Sequence, residues 1–200
     1  MKIAIMGTRG IPANYGGFET FAEYLGAGLA GRGHEVTVYC RSNRVKTPER
    51  RYRGVRLVVL PTLSHKYFDT VAHTALSVIH GLFQNFDAVL ICNSVNSLFS
   101  FVPRLAGSRV AVNVDGLEWQ RAKWNRLGQW VYRASEFLST FLPDLIVTDS
   151  MTIQRYYQKK FHAGSVFIPY GADTSAEETD AALRRLGLEK RRYFLYVSRL

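Results

Sequence analysis

GTRGIPANYGGFET, residues 7–20, follows the apolar run KIAIM directly and leads into the helix-like segment FETFAEYLGAGLAGRG. Two glycines, Gly7 and Gly10, open it, and a second pair, Gly16 and Gly17, stands immediately before the helix pattern. A strand that passes through a glycine-rich loop into a helix presents free backbone N–H groups at the positive end of the helix dipole. Glycine there admits an anion closer than a Cβ would, and it tolerates a positive φ in the turn. This is a phosphate site in outline, with a plain tight turn as the competing reading.

The spacing is neither G-x-G-x-x-G nor G-x-x-x-x-G-K-[ST], so neither the dinucleotide fingerprint nor the P-loop is present. The second apolar run, EVTVYC, ends at Cys40 and Arg41 without the Asp or Glu that binds a ribose hydroxyl in dinucleotide folds. An NADP-binding Rossmann oxidoreductase domain with Arg41 on the 2'-phosphate stays open as an alternative.

Beyond the loop, β-branched runs recur as GVRLVVL, DAVLIC, RVAVNV, DLIVT, SVFIP and YFLYV, with helical patterns between most of them. In the first helix Phe18, Phe21, Leu25 and Leu29 form one apolar stripe for a sheet. Such alternation predicts an α/β fold, a Rossmann-like doubly wound, mostly parallel sheet. Residues 1–173 read as that domain. The polar stretch over 174–192 reads as a linker or helix, and 193–200 as the first strand of a further, truncated domain.

Composition narrows the partners. With 26 Lys and Arg against 16 Asp and Glu, the net charge is +10, which favours anionic partners. The 47% hydrophobic content supplies a core. Cys40 and Cys92 have no metal-ligand spacing and suit reduced thiols. His65, His73 and His80 make no zinc pattern, so no metal and no cofactor are expected. Strand-like sequence starts at once after Met-Lys, without the charged and apolar regions of a signal peptide, so the expected location is the cytoplasm. A nucleic-acid-binding module would account for the charge, but no recognition signature accompanies it and the glycine loop would have no purpose.

GTRGIPANYGGFET, LAGRGHEVTVYCR, VNVDGLEWQRAKW, DLIVTDS, IPYGAD and YVSRL together resemble the N-terminal half of a GT-B glycosyltransferase of family 4, in its rhamnosyltransferase-like branch. The resemblance implies an acceptor-side domain of a retaining hexosyltransferase of bacterial polysaccharide synthesis. Such an enzyme moves a sugar, with rhamnose the candidate, from a nucleotide-sugar to a saccharide or polyprenyl-diphosphate-linked acceptor. It also implies that this half is inactive alone. Gly16, Gly17 and Arg199 would meet the donor diphosphate. Asp115, at a strand's carboxyl end, and Glu118 are the candidate catalytic or acceptor-orienting carboxylates, although many relatives carry a His near Asp115 and the retaining reaction needs no protein base. A cap on the following turn is the structural reading of Asp115, and a solvated loop side chain that of Glu118. Tyr170 stands where the family has Asn and receives no role.

Two basic segments remain. RSNRVKTPERRYRGVR, residues 41–56, holds seven basic residues and one acid and reads as a loop. RAKWNRLGQWVYR mixes cations with aromatic rings as interfacial helices do. Arg50, Arg51, Arg53, Trp124 and Arg126 are therefore candidate acceptor or membrane contacts, with peripheral binding to the anionic inner face of the plasma membrane. Solvated arginines and core tryptophans are the competing reading. Between Thr70 and Pro103 the only charged residue is Asp87, and the stretch reads either as a buried helix, strand and helix or as a groove for a lipid tail.

Overall fold

A computed structural model describes the chain except residues 15, 46–48, 64, 66–67, 123, 172–179 and 197–200. It divides into Met1–Tyr170 and a small second unit, Gly171–Leu200. The first is built on a sheet of eight strands in the order β3-β4-β2-β1-β5-β6-β7-β8. In chain order these are β1 (Lys2–Met6), β2 (Glu35–Arg41), β3 (Arg51–Tyr52), β4 (Val55–Leu60), β5 (Ala88–Cys92), β6 (Arg109–Val114), β7 (Leu145–Thr148) and β8 (Val166–Phe167). Every pairing is parallel except β3 with β4. The doubly wound Rossmann-like fold expected from the alternating runs is the one observed.

The helices are α1 (Gly17–Gly31), α2 (Asp69–Gly81), α3 (Phe101–Leu105), α4 (Arg126–Leu138), α5 (Met151–Phe161) and α6 (Ala181–Arg185), with 3-10 turns at Ser94–Ser100 and Glu118–Gln120. Strand alternation makes two cores. Ile5, Val36, Val38, Cys40 and Val55 meet Ala22 of α1, while Ala4, Met6, Ile91, Val112 and Ile146 meet Val78 of α2 and Ile153 and Tyr157 of α5. Phe18, Phe21, Leu25 and Leu29 lie against the first core, as their spacing predicts.

From β1 the chain builds outward through β2 to β4, returns across the sheet through α2 to β5, and then builds the other way. The order reverses between β1 and β5, which makes their carboxyl ends the crevice of an open α/β sheet. Gly7 follows β1 with φ +85°, and a Cβ on it would lie 2.4 Å from the Cys92 carbonyl oxygen at the end of β5. Gly10 has φ +108°, and its Cβ would lie 2.6 Å from that of Cys40. These two glycines, rather than the later pair, carry the positive φ angles of the loop: Gly16 is extended at φ −159°.

Two features differ from the sequence reading. The basic stretch over 41–56 is not all loop: β3 folds back on β4 through Arg53 and Gly54, at φ 48° and 81°. The segment over 70–103 is buried only in part: Val78, Phe86, Val89 and Ile91 lie in the core, while Leu76, Ile79, Leu82 and Phe83 are exposed. In the second unit α6 falls within the stretch over 174–192 read as a linker or helix, and residues 197–200 of the expected strand lie outside the described residues.

Gly7→Ala is expected to destabilise the protein by about 3 kcal/mol or more, because it combines a left-handed backbone with a backbone clash. Gly17→Ala, with nothing within 4 Å of the added Cβ, should change stability by less than about 1 kcal/mol. Urea unfolding of both variants measures the contrast.

Candidate functional site

The loop between β1 and α1 is pinned from the helix it precedes. Glu19, buried in the first turn of α1, accepts from the Arg9 N–H at 3.0 Å, and Glu23 accepts from the Ala13 N–H at 2.7 Å. Glu23 also takes the Tyr52 hydroxyl at 3.1 Å and pairs with Arg53 at 3.2 Å. The amides of the first turn are thereby held at the carboxyl edge of the sheet, and no side chain caps them. Gly16 and Gly17 leave that helix end bare, and Gly17 does so without any steric need for glycine.

Facing it are the ends of β5, β6 and β7. Asn93 follows β5 with φ 75°, a conformation non-glycine residues rarely adopt, and its side-chain oxygen accepts from the Val95 N–H at 3.1 Å. Asp115 follows β6, and its carboxylate takes the Gly116 N–H at 2.8 Å, the turn-capping contact of its structural reading. Asp149 follows β7; burial and then the charge of Asp115 raise its pKa above the ordinary carboxylate range. Tyr170 packs on Phe21 at 4.9 Å and Phe18 at 6.4 Å between ring centroids, which brings it beside the N-terminus of α1. Burial above all, and then Cys92, Asp149 and Asp115, push the Tyr170 hydroxyl upward, so it stays a proton donor. Asn113 reaches that hydroxyl at 3.5 Å, and its own buried side-chain oxygen has no hydrogen-bond partner.

Glu118 is not a solvated loop residue. It is buried, paired with Arg121 at 2.9 Å, and accepts from the Trp124 indole N–H at 3.3 Å. Trp124 packs at a tilt on Tyr132 of α4, ring centroids 4.9 Å apart, and its bond to Glu118 ties it to the loop after β6. Burial and then Glu118 raise the pKa of Tyr132, against a hydrogen bond from Asn93. Asp115 and Glu118 thus share one edge with Gly16 and Gly17. Arg51 and Arg53 do not: with Arg56 and Lys2 they line an open cavity of about 750 Å³ at the amino ends of the strands. Arg50 is exposed at the start of the same hairpin, Arg126 is exposed at the start of α4, and Arg199 lies outside the described residues.

Arg41 is not available to a 2'-phosphate. It is buried and holds Asp69 at 2.7 Å and Thr70 at 3.1 Å. Burial pushes the Asp69 carboxyl up, but the Thr62 hydroxyl and the Arg41 guanidinium more than offset this and leave its pKa below the ordinary value. Burial holds the pKa of the neighbouring His73 down at about 4, which keeps it neutral. Among the described residues no group of three or more His, Cys, Asp or Glu side chains could hold a metal ion.

Sequence reasoning passed over Asp149, Tyr170, Asn93 and Asn113. Asp149 carried the same signal as Asp115, an acid directly after an apolar run. Tyr170 had none, because its ring partners Phe18 and Phe21 are more than a hundred residues away in the chain.

A family model described as a domain of unknown function, DUF1972, matches residues 1–173. The chain belongs to that family. No curated protein matches the DUF1972 chain in sequence. In structure it is similar to a sucrose-phosphate synthase from Thermosynechococcus elongatus, with TM-score 0.59 and 15% identity over 94% of this chain and 96% of that one. It is also similar to Arabidopsis thaliana UGT89C1, solved in complex with UDP-L-rhamnose, with TM-score 0.53 and 12% identity over 86% of this chain. It spans about half of that second chain, 53%. At these identities the likeness establishes the shared fold.

Because the folded state raises the pKa of Asp149, it favours the protonated form. That preference costs nothing below the ordinary carboxylate pKa, and stability falls as pH rises through the raised value. Asp149→Asn should therefore raise the unfolding temperature at about pH 8 and leave it unchanged near pH 3. Thermal melts across pH will check the sign.

Proposed function

We propose that this chain is the acceptor-side part of a nucleotide-sugar-dependent glycosyltransferase. The uncapped N-terminus of α1, left bare by Gly16 and Gly17 at the switch-point edge, carries the reading. It offers N–H groups and a positive dipole end to a diphosphate. Opposite it, Asp115, Asp149 and the Tyr170 hydroxyl form a polar wall suited to sugar hydroxyl groups, and the free oxygen of Asn113 adds an acceptor. The fold shared with a sucrose-phosphate synthase and with a protein that binds UDP-L-rhamnose supports the assignment.

In this reading the donor diphosphate rests on the α1 N-terminus, while Asp115 orients the acceptor hydroxyl. Glu118 acts by fixing the loop that carries Asp115, through Arg121 and Trp124. The transferred sugar is a hexose, with rhamnose the leading candidate, and its configuration is retained. The acceptor is a saccharide or a polyprenyl-diphosphate-linked glycan of bacterial polysaccharide synthesis. Transfer needs both substrates fixed in one geometry, so residues 1–200 alone are expected to bind without turning over.

Mass spectrometry of the full-length protein with a panel of nucleotide sugars and lipid-linked acceptors tests the activity. Gly16→Val and Gly17→Val should each lower transfer by about a hundredfold, as loss of a preorganised donor site does. Both should stay folded, since Val adopts the extended backbone of Gly16 and the space beside Gly17 is open. Near-parental turnover in either variant, or binding of NADPH in place of a nucleoside diphosphate, would remove the assignment.

A further inference from the structure

Several consecutive elements on one face of the sheet are built inside out. Thr74, Ser77, Ser97, Ser100 and Ser139 face inward, and each is buried. Their hydroxyls donate to backbone carbonyls of their own helices or turns, Ser77 to His73 at 2.7 Å and Ser139 to Glu136 at 2.6 Å for example, so none needs an outside partner. Small, self-satisfied residues let α2, the 3-10 turn and α3 lie close to the sheet, and let both α2 and α4 pack on that turn. Val78, Phe99, Val102 and Tyr132 still pack inward, but many of the large apolar side chains are left outside. Ile79, Phe83, Leu105, Leu127, Trp130 and Phe137 are between 55% and 83% exposed. So many exposed large apolar side chains on elements that share one 3-10 turn mark an interaction face.

The charges on these elements decide what covers it. The acids are Asp69, tied to buried Arg41, and Glu136, itself buried and bound to Tyr156 and Lys160. The cations, Arg104, Arg126 and Arg133, are all exposed, Arg104 paired with Asp144 and Arg133 stacked on Trp119 at 4.3 Å. A second copy of the chain would set these arginines against their own kind. An anionic bilayer would meet them with lipid phosphates and take an exposed Trp at the headgroup level.

We propose that the face formed by α2, the 3-10 turn with α3, and α4 docks on an anionic lipid bilayer. Trp130 and its apolar neighbours enter the interface, and Arg126 and Arg133 bind lipid phosphate. The basic hairpin of Arg50, Arg51 and Arg53, at the sheet's edge, stays in water, and Trp124 stays packed on Tyr132. This docking stands apart from glycosyl transfer and is measured without donor or acceptor, so either reading can fail alone.

The test is sedimentation of the protein with phosphatidylcholine vesicles, with and without phosphatidylglycerol. The parent should bind the phosphatidylglycerol vesicles, less strongly as salt rises, with a blue shift in Trp emission that is absent from Trp130→Phe. Leu127→Glu with Trp130→Glu should weaken binding at least about tenfold, and Arg126→Glu with Arg133→Glu should abolish the preference for anionic lipid. Arg51→Glu with Arg53→Glu should bind as the parent does. Circular dichroism and a thermal melt verify that each variant is folded. The proposal is overturned if the parent binds neither vesicle, or if the Leu127 and Trp130 double variant binds like the parent. It is also overturned if that variant only dissolves a dimer seen by sedimentation velocity.

Discussion

The contact on which the rest depends is the one between the ends of β1 and β5, where the backbone turns at Gly7 against the Cys92 carbonyl. Two parallel strands lie side by side here, and the chain leaves them in opposite directions. A side chain at residue 7 would push the β1 loop away from β5 and open the switch point. With the glycine in place, the Asn96 amide closes on the same Cys92 oxygen at 2.8 Å, and Gly10 settles onto Cys40 at the end of β2. The loop then has one course, and Glu19 and Glu23 fasten it to α1 from below.

That course places positive and negative groups on opposite walls of one opening. The α1 end brings partial positive charge with no capping side chain, while β6 and β7 bring two carboxylates whose strands are hydrogen-bonded neighbours. Burial and then the charge of Asp115 raise the pKa of Asp149. Tyr170, held by Phe18 and Phe21 of the same helix, adds a hydroxyl that stays protonated at any working pH. A ligand with a phosphate at one end and hydroxyl groups at the other matches this polarity.

The opposite end of the sheet and its helical face follow different rules. At the amino ends Arg51, Arg53, Arg56 and Lys2 surround an open cavity, while the buried ion pair of Arg41 and Asp69 ties the end of β2 to α2. Removing one partner of such a pair strands a charge in the interior at a cost of about 3–5 kcal/mol. Arg41 is therefore a structural residue. On the helical face serines and threonines share the close packing with Val78 and Tyr132, which leaves many of the large apolar side chains outside.

Local sequence determined the strands, the first helix and the glycine loop. Period-two apolar runs and a stripe at spacings of three and four are set by backbone geometry and survive whatever packs on them. The two-residue β3 was illegible because its signal is shorter than any period. The polarity of α2 and α4 was misleading for a related reason: composition shows that a helix is apolar, but only the neighbouring layer decides which side of it faces the sheet. Asp115 was visible as an acid at a strand's end. Its electrostatic effect on Asp149 and the place of Tyr170 beside α1 required the tertiary fold, since each depends on elements distant in the chain that meet only when the strands take their order. Sequence alone supplied the bare helix end and the strands that frame it. The tertiary structure decided what faces that end, because burial and proximity, rather than residue type, set the charge and hydrogen-bonding state of a side chain.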